Sequence, residues 1–123
     1  MATVMVVDDS ETLRISVKKL LESAGISVIE ADNGARGVDA WKASNGNVQL
    51  VVTDYNMPEM DGIMMVRKLR ELQGGKDVIV FMLTTESSPD LKNLGREVGV
   101  KAWVTKPFND EKFMLAVKKM LGM

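Results

Sequence analysis

Five short apolar runs alternating with five amphipathic segments predict an α/β protein: a doubly wound, five-stranded parallel sheet covered by helices on both faces. Two observations carry that expectation. The runs are continuously apolar, as strands buried on both sides should be, rather than alternating apolar and polar. Between each pair lies a stretch with apolar residues at helical spacing, the crossover that parallel neighbours need.

The elements follow in order. "TVMVV" (3–7) is the first strand, and residues 11–24 are a helix with Leu13, Val17, Leu20, Leu21 and Ala24 on one face and Gly25 at its end. "SVIE" (27–30) is a short second strand, followed by a turn at Asn33-Gly34 and a weaker helix to about Ser44, with Trp41 on its buried side. Gly37 costs that helix roughly 1 kcal/mol relative to alanine. "QLVVT" (49–53) is the third strand. Past Pro58, a helix starts near Asp61, turns Met65, Val66, Leu69 and Leu72 inward, and stops at Gly74-Gly75. "DVIVFML" (77–83) is the longest apolar run and the candidate for the central strand. Ser88 caps the fourth helix and Pro89 opens it; that helix packs Leu91, Leu94 and Val98 and ends at Gly99. "KAWVT" (101–105) is the fifth strand. The last helix starts at Asn109 or Asp110 and buries Phe113, Ala116, Val117 and Met120. Its acids, Asp110 and Glu111, sit in the first turn and Lys118 and Lys119 in the last, as the helix dipole favours.

Composition narrows the function. At 123 residues the chain reads as one domain with no output domain appended, and long enough to bury a core without metal or disulfide staples. A net charge of −1 without a block of like charges argues against strong non-specific binding to nucleic acid. No apolar run is long enough to cross a bilayer, and a strand within three residues of the start leaves no room for a signal peptide, so a cytoplasmic protein is expected. The absence of cysteine excludes disulfides and thiolate chemistry and suits a reducing compartment. The absence of histidine is more restrictive: there is no imidazole base, no phosphohistidine, and any bound metal must sit mostly on oxygens.

In open α/β sheets the site lies outside the carboxyl ends of the strands. Those ends carry Asp8-Asp9, Asp54, Thr84-Thr85 and, just past Thr105, Lys106-Pro107. Singly, each has an ordinary reading, since strand-end aspartates start turns or cap helices and a lone lysine is usually solvated. Together they place three carboxylates, a hydroxyl and an ammonium in one pocket. Crowded carboxylates must protonate or bind a cation. An all-oxygen set of few carboxylates suits Mg²⁺ better than Ca²⁺. Carboxylate, Mg²⁺, lysine and hydroxyl are the parts that stabilise a transferring phosphoryl group. An aspartate oxygen can itself be the acceptor, and without a histidine the donor must be another molecule.

"VMVVDDS", "VVTDYNMPEMDG", "FMLTTES" and "WVTKPF" resemble the four signature segments of response-regulator receiver domains, more narrowly of the CheY-like single-domain chemotaxis regulators. The resemblance spans essentially the whole chain and implies the flavodoxin-like strand order 2-1-3-4-5. It implies Asp54 as phosphoacceptor, with Mg²⁺ held directly by Asp9 and Asp54, through a water by Asp8, and by the backbone carbonyl of Asn56. Thr84 would hydrogen-bond one phosphoryl oxygen and Lys106 would pair with another, while Asn56 and Glu86 set the rate of dephosphorylation. Pro107 would follow a cis peptide. Trp103 stands where the family has an aromatic switch residue. A tryptophan needs more space and a partner for its N–H, so its inward state is expected to be costly or partial. A fixed packing role for Trp103 stands beside the switching role.

The implied role is a phosphorylation-dependent signalling module that switches the face formed by helix four, strand five and helix five. Implied partners are a histidine kinase as donor, the flagellar motor switch or another protein target, and a phosphatase. Nucleic acid and membrane are not expected, and a monomer is expected. The protein would be a phosphoacceptor with intrinsic autodephosphorylation rather than an enzyme. Two rivals stay open: a phosphate sink or phosphorelay intermediate without motor output, and an Asp-nucleophile phosphatase, whose Asp-x-Asp motif the adjacent Asp8-Asp9 does not match. The ten methionines read as core filler rather than a binding surface, Glu59 as a loop charge and Asp61 as a helix start.

Overall fold

The first, third and fourth strand-forming runs are buried because the sheet is covered twice, while the two at its edges are mostly half-buried or exposed. In the computed structural model, which describes residues 2–123, the chain runs β1 (Thr3–Val7), α1 (Glu11–Ser23), β2 (Ser27–Ala31), α2 (Gly34–Ala43), β3 (Leu50–Thr53), α3 (Gly62–Arg70), β4 (Ile79–Thr84), α4 (Pro89–Glu97), β5 (Val100–Thr105) and α5 (Asp110–Leu121). All neighbouring strands pair in parallel, in the order β2-β1-β3-β4-β5. Successive residues of a strand point to opposite faces. Val4, Val6, Leu50, Val52, Phe81 and Leu83 therefore meet Val17 and Leu21 of α1 and Phe113 and Val117 of α5. Met5, Val7, Val51 and Val80 meet Val38 and Trp41 of α2 and Met65, Val66 and Leu69 of α3 on the other side. No helix among the described residues is long and apolar enough to cross a membrane.

Three sequence expectations are corrected. The central strand is β3, not β4, because run length reports burial on both faces and β4 shares that burial one place from the middle. Asn33-Gly34 is not a turn: Asn33 caps α2, its side-chain oxygen accepting the Arg36 N–H at 2.8 Å, and Gly34 is already helical. Leu94 does not pack inward. It is 37% exposed, and the buried residue of α4 is Gly95. The reason lies on β5, where Trp103 occupies the space. A Cβ on Gly95 would lie 3.1 and 3.2 Å from its ring atoms.

The third helix also ends early, with Glu71 as its C-cap and Leu72 half-buried beyond it. There the chain wraps the Arg70 guanidinium. Nη1 donates to the carbonyls of Gly75 (2.9 Å), Lys76 (3.3 Å) and Val78 (2.6 Å). Nε donates to Val98 O at 3.0 Å and Nη2 to Gly99 O at 3.1 Å. One side chain thus ties the α3–β4 connection to the α4–β5 turn at the amino ends of β4 and β5. Burial pulls its pKa down from the ordinary guanidinium value, and the Asp77 carboxylate opposes that pull.

Replacing Arg70 by methionine keeps the aliphatic bulk and orphans these carbonyls. The expected loss is about 2–4 kcal/mol of unfolding free energy in urea titrations. Arg70→Lys should recover only a fraction, because an ammonium lacks the fork.

Candidate functional site

The register of β1 against β3 builds the site. Val7 of β1 lies beside Thr53 of β3, so the next residues, Asp8 and Asp54, leave the sheet side by side. Each is still held by a strand-type bond, from Asp8 N–H to Ala31 O (3.1 Å) and from Asp54 N–H to Val7 O (3.0 Å). Both are buried, at 3% and 8% exposure, while Asp9 faces solvent. Carboxylate oxygens of Asp8, Asp9 and Asp54 all lie within 4.8 Å of one another.

Lys106 enters from the end of β5. Its N–H donates to Thr84 O at 2.8 Å. Its Nζ lies 3.1 Å from Asp8 Oδ2 and 3.1 Å from Asp54 Oδ2. The Lys106-Pro107 peptide is cis, as the resemblance implied. The other oxygens are met by main-chain donors. Asp8 Oδ1 accepts from Ser10 N–H at 2.8 Å, and Asp54 Oδ1 accepts from Tyr55 N–H at 2.6 Å and Asn56 N–H at 3.3 Å. Even so, one ammonium faces three carboxylates. Burial raises the Asp8 pKa above the ordinary carboxyl range, against the Ser10 N–H and Lys106, and the charge of Asp54 adds to the rise.

This donor set is all oxygen, compact and short of positive charge, which fits a hard divalent cation and not a soft one. A groove of about 750 Å³ lies elsewhere, around Arg70 at the opposite end of the sheet. The chemistry gathers where the carboxylates are, not where the space is.

A second group of the expected residues is linked through Glu86. Thr84 is fully buried at the end of β4, and its Oγ1 accepts from Glu86 N–H at 3.3 Å. Glu86 Oε1 accepts from Asn56 Nδ2 at 2.7 Å. Glu86 O accepts from Trp103 Nε1 at 2.7 Å. The tryptophan thus has both things its size demands, a partner for its N–H and, over Gly95, room for its ring. Thr85 is exposed, Glu59 is an exposed loop residue and Asp61 caps α3 by accepting from Met64 N–H at 2.8 Å.

Two contacts had no sequence forecast. Asn56 and Glu86, which the resemblance pairs by role, are also in direct contact. Arg14 of α1 donates from Nη1 to the main-chain carbonyl of Asp8 at 2.8 Å. The available signal was position: a long side chain in the first turn of a helix leans back over the loop that precedes it.

With this geometry in hand, similarity to known proteins is informative. Residues 4–118 match the family described as the response regulator receiver domain. The chain is 34% identical over 121 residues to the chemotaxis protein CheY1 of Helicobacter pylori, covering 96% of this chain and 95% of that one. It superposes on the Vibrio cholerae chemotaxis protein CheY4 with a TM-score of 0.91 at 34% identity, covering 98% of both chains. A structure described as the CheX-CheY-BeF3-Mg²⁺ complex of Borrelia burgdorferi matches with a TM-score of 0.89 at 26% identity, covering 98% of this chain and 89% of that one.

The raised pKa of Asp8 has a definite sign. Its ionised form costs the fold stability above the raised folded-state value and nothing below the ordinary value of 3.8, where folded and unfolded chains are both protonated. In metal-free protein, Asp8→Asn should therefore raise the melting temperature at neutral pH. The gain should shrink as pH falls through the folded-state value. Thermal denaturation in a chelator across that range checks both statements.

Proposed function

The chain belongs to the response regulator receiver family, and we propose that it is a phosphorylation-switched signalling domain in which Asp54 accepts a phosphoryl group from a phosphohistidine of a kinase. The observation that carries this reading is the Lys106 ammonium, 3.1 Å from Asp8 and from Asp54 inside a cluster of three carboxylates. An Asp54 carboxylate oxygen attacks phosphorus, a P–O bond forms, and the P–N bond to the donor imidazole breaks. The electron pair stays on the imidazole nitrogen. Lys106 pairs with one oxygen of the transferred group and the Thr84 hydroxyl donates to another.

Asp9 and Asp54, Asp8 through a water, and the main-chain carbonyl of Asn56 are the groups that would hold Mg²⁺. When bound, the ion supplies positive charge against the carboxylates and the phosphoryl oxygens. The oxygen-only donor set supports this assignment, and the Borrelia burgdorferi relative was solved with Mg²⁺ and a BeF3 group.

The output follows the hydrogen bonds through Glu86. A shift of Thr84 toward the phosphoryl group would be felt at the Glu86 N–H, and the Glu86 carbonyl holds Trp103. Trp103 lies against α4, so the face made by α4, β5 and α5 is the surface switched for a partner. On this reading residues 1–123 form one receiver domain that acts by protein contact, is monomeric, and hydrolyses its own acyl phosphate at a rate set by Asn56 and Glu86. The chemotaxis relatives favour the flagellar motor switch as target, with a histidine kinase as donor and a phosphatase to reset the domain.

Asp54→Asn should abolish Mg²⁺-dependent labelling by acetyl phosphate; label persisting on that variant would end the assignment. Beryllofluoride-treated protein should retain the motor switch protein in a pull-down while untreated protein does not. Thr84→Ala should still take up label yet lose that retention. Labelling without any motor retention by the parent protein would instead favour a phosphate sink.

A further inference from the structure

Asp9 is the least supported member of the acidic cluster. It is exposed, and its carboxylate makes no hydrogen bond among the described residues. What can orient it is the main chain before it. The carbonyl of Asp8 and the N–H of Asp9 belong to one rigid peptide plane, so fixing that carbonyl fixes the Asp9 Cα and the N–Cα axis on which its side chain is mounted. The group that fixes it is Arg14.

We propose that Arg14 is a positioning residue for the acidic site, holding the Asp8–Asp9 peptide plane so that both carboxylates face a divalent cation. The inference rests on the cation-binding reading above. Three observations support it. Arg14 Nη1 lies 2.8 Å from Asp8 O, while Asp8 N–H is tied at 3.1 Å to Ala31 O, so both peptide groups of Asp8 are held. The guanidinium is anchored in turn, with Nε 3.2 Å from Glu30 Oε1. Glu30 also takes Lys18 Nζ at 3.0 Å on its other oxygen, and the residue sits on β2 beside Val6, so the anchor is part of the sheet. The Arg14 side chain is only 15% exposed, which limits its freedom to swing away.

The two roles an arginine could play here have opposite signs. As a bare positive charge near a cation site, it would weaken cation binding, and removing it would tighten binding. As an orienting group, its removal weakens binding. Loss of an outer group that orients a ligand typically costs about tenfold or more in metal affinity.

The test is a Mg²⁺ titration of the full chain by calorimetry, beside the Mg²⁺ dependence of Asp54 labelling by acetyl phosphate. For Arg14→Met, the expected result is a dissociation constant roughly tenfold higher. The half-saturating Mg²⁺ for labelling should rise in step while the rate at saturating Mg²⁺ is kept. Arg14→Lys should not restore affinity, since a single ammonium lacks the spread of Nη1 and Nε that the guanidinium uses to reach Asp8 O and Glu30 separately. Glu30→Gln leaves Arg14 in place and guards against a variant that fails to fold; it should give a smaller weakening in the same direction. Unchanged or tighter Mg²⁺ binding in folded Arg14→Met and Glu30→Gln overturns the proposal. A parent chain that shows no saturable Mg²⁺ binding overturns the cation-binding reading itself, a distinct outcome.

Discussion

Three carboxylates within 4.8 Å of one another, two of them buried, are the constraint around which this molecule is arranged. Like charges at that range repel, and burial removes the water that would screen them. The sheet makes the crowding unavoidable, because the pairing of Val7 with Thr53 delivers Asp8 and Asp54 to the same edge. The relief comes from far away in the sheet. Lys106 follows β5, and β4 lies between it and β3, so two strand spacings, about 10 Å, separate its main chain from that of Asp54. The lysine and aspartate side chains close that gap from opposite sides and meet at the 3.1 Å contact between Nζ and Asp54 Oδ2. The Lys106 N–H on Thr84 O fixes the start of that reach.

Such a cluster opposes folding, so the elements beneath it must be secure. In β1 and β3 every residue from Val4 to Val7 and from Leu50 to Thr53 is buried. Both helix layers contact them, and each fully buried aliphatic side chain contributes roughly 1.5–3 kcal/mol. Security is not uniform. In α3 five residues are buried, whereas in α4 the buried residue is Gly95. A helix with little apolar burial is drawn from the low-stability end of a fold, which is where a movable element belongs. Arg70 limits that freedom at one end, gripping Val98 and Gly99 beyond the last turn of α4. The other end, at Ser88 and Pro89, begins two residues after Glu86 and so adjoins the site.

Much of this was legible because burial leaves a direct mark on composition. Continuous apolar runs marked the strands, and Ser88, Asn109 and Asp61 marked helix starts by the same hydrogen bond each makes to an N–H three residues on. The strand-end residues were legible for a different reason, since parallel topology alone sends them to one edge. Strand order was not legible from periodicity and came from the family resemblance. Leu94 was misread because helical spacing says which residues share a face and not which neighbour that face must fit; the bulk of Trp103 decided it. Arg70 and Arg14 were missed because both act on main-chain carbonyls outside their own helices, and no pattern of residue types records where a carbonyl will point.

The same division between main chain and side chain runs through the proposed switch. Glu86 uses its N–H for Thr84, its carbonyl for Trp103 and its carboxylate for Asn56. Asn56 uses its N–H for Asp54 and its side chain for Glu86. The links from the reacting centre outward are therefore main-chain links at both residues, and they persist whatever side chains stand there. The side chains add a separate bridge between the two. On the proposed reading, substitution at either position changes the bridge, and with it the lifetime of the phosphoryl group, while leaving the path from Thr84 to Trp103 intact. Lifetime and output are then separable by single substitutions, because different atoms of the same two residues carry them.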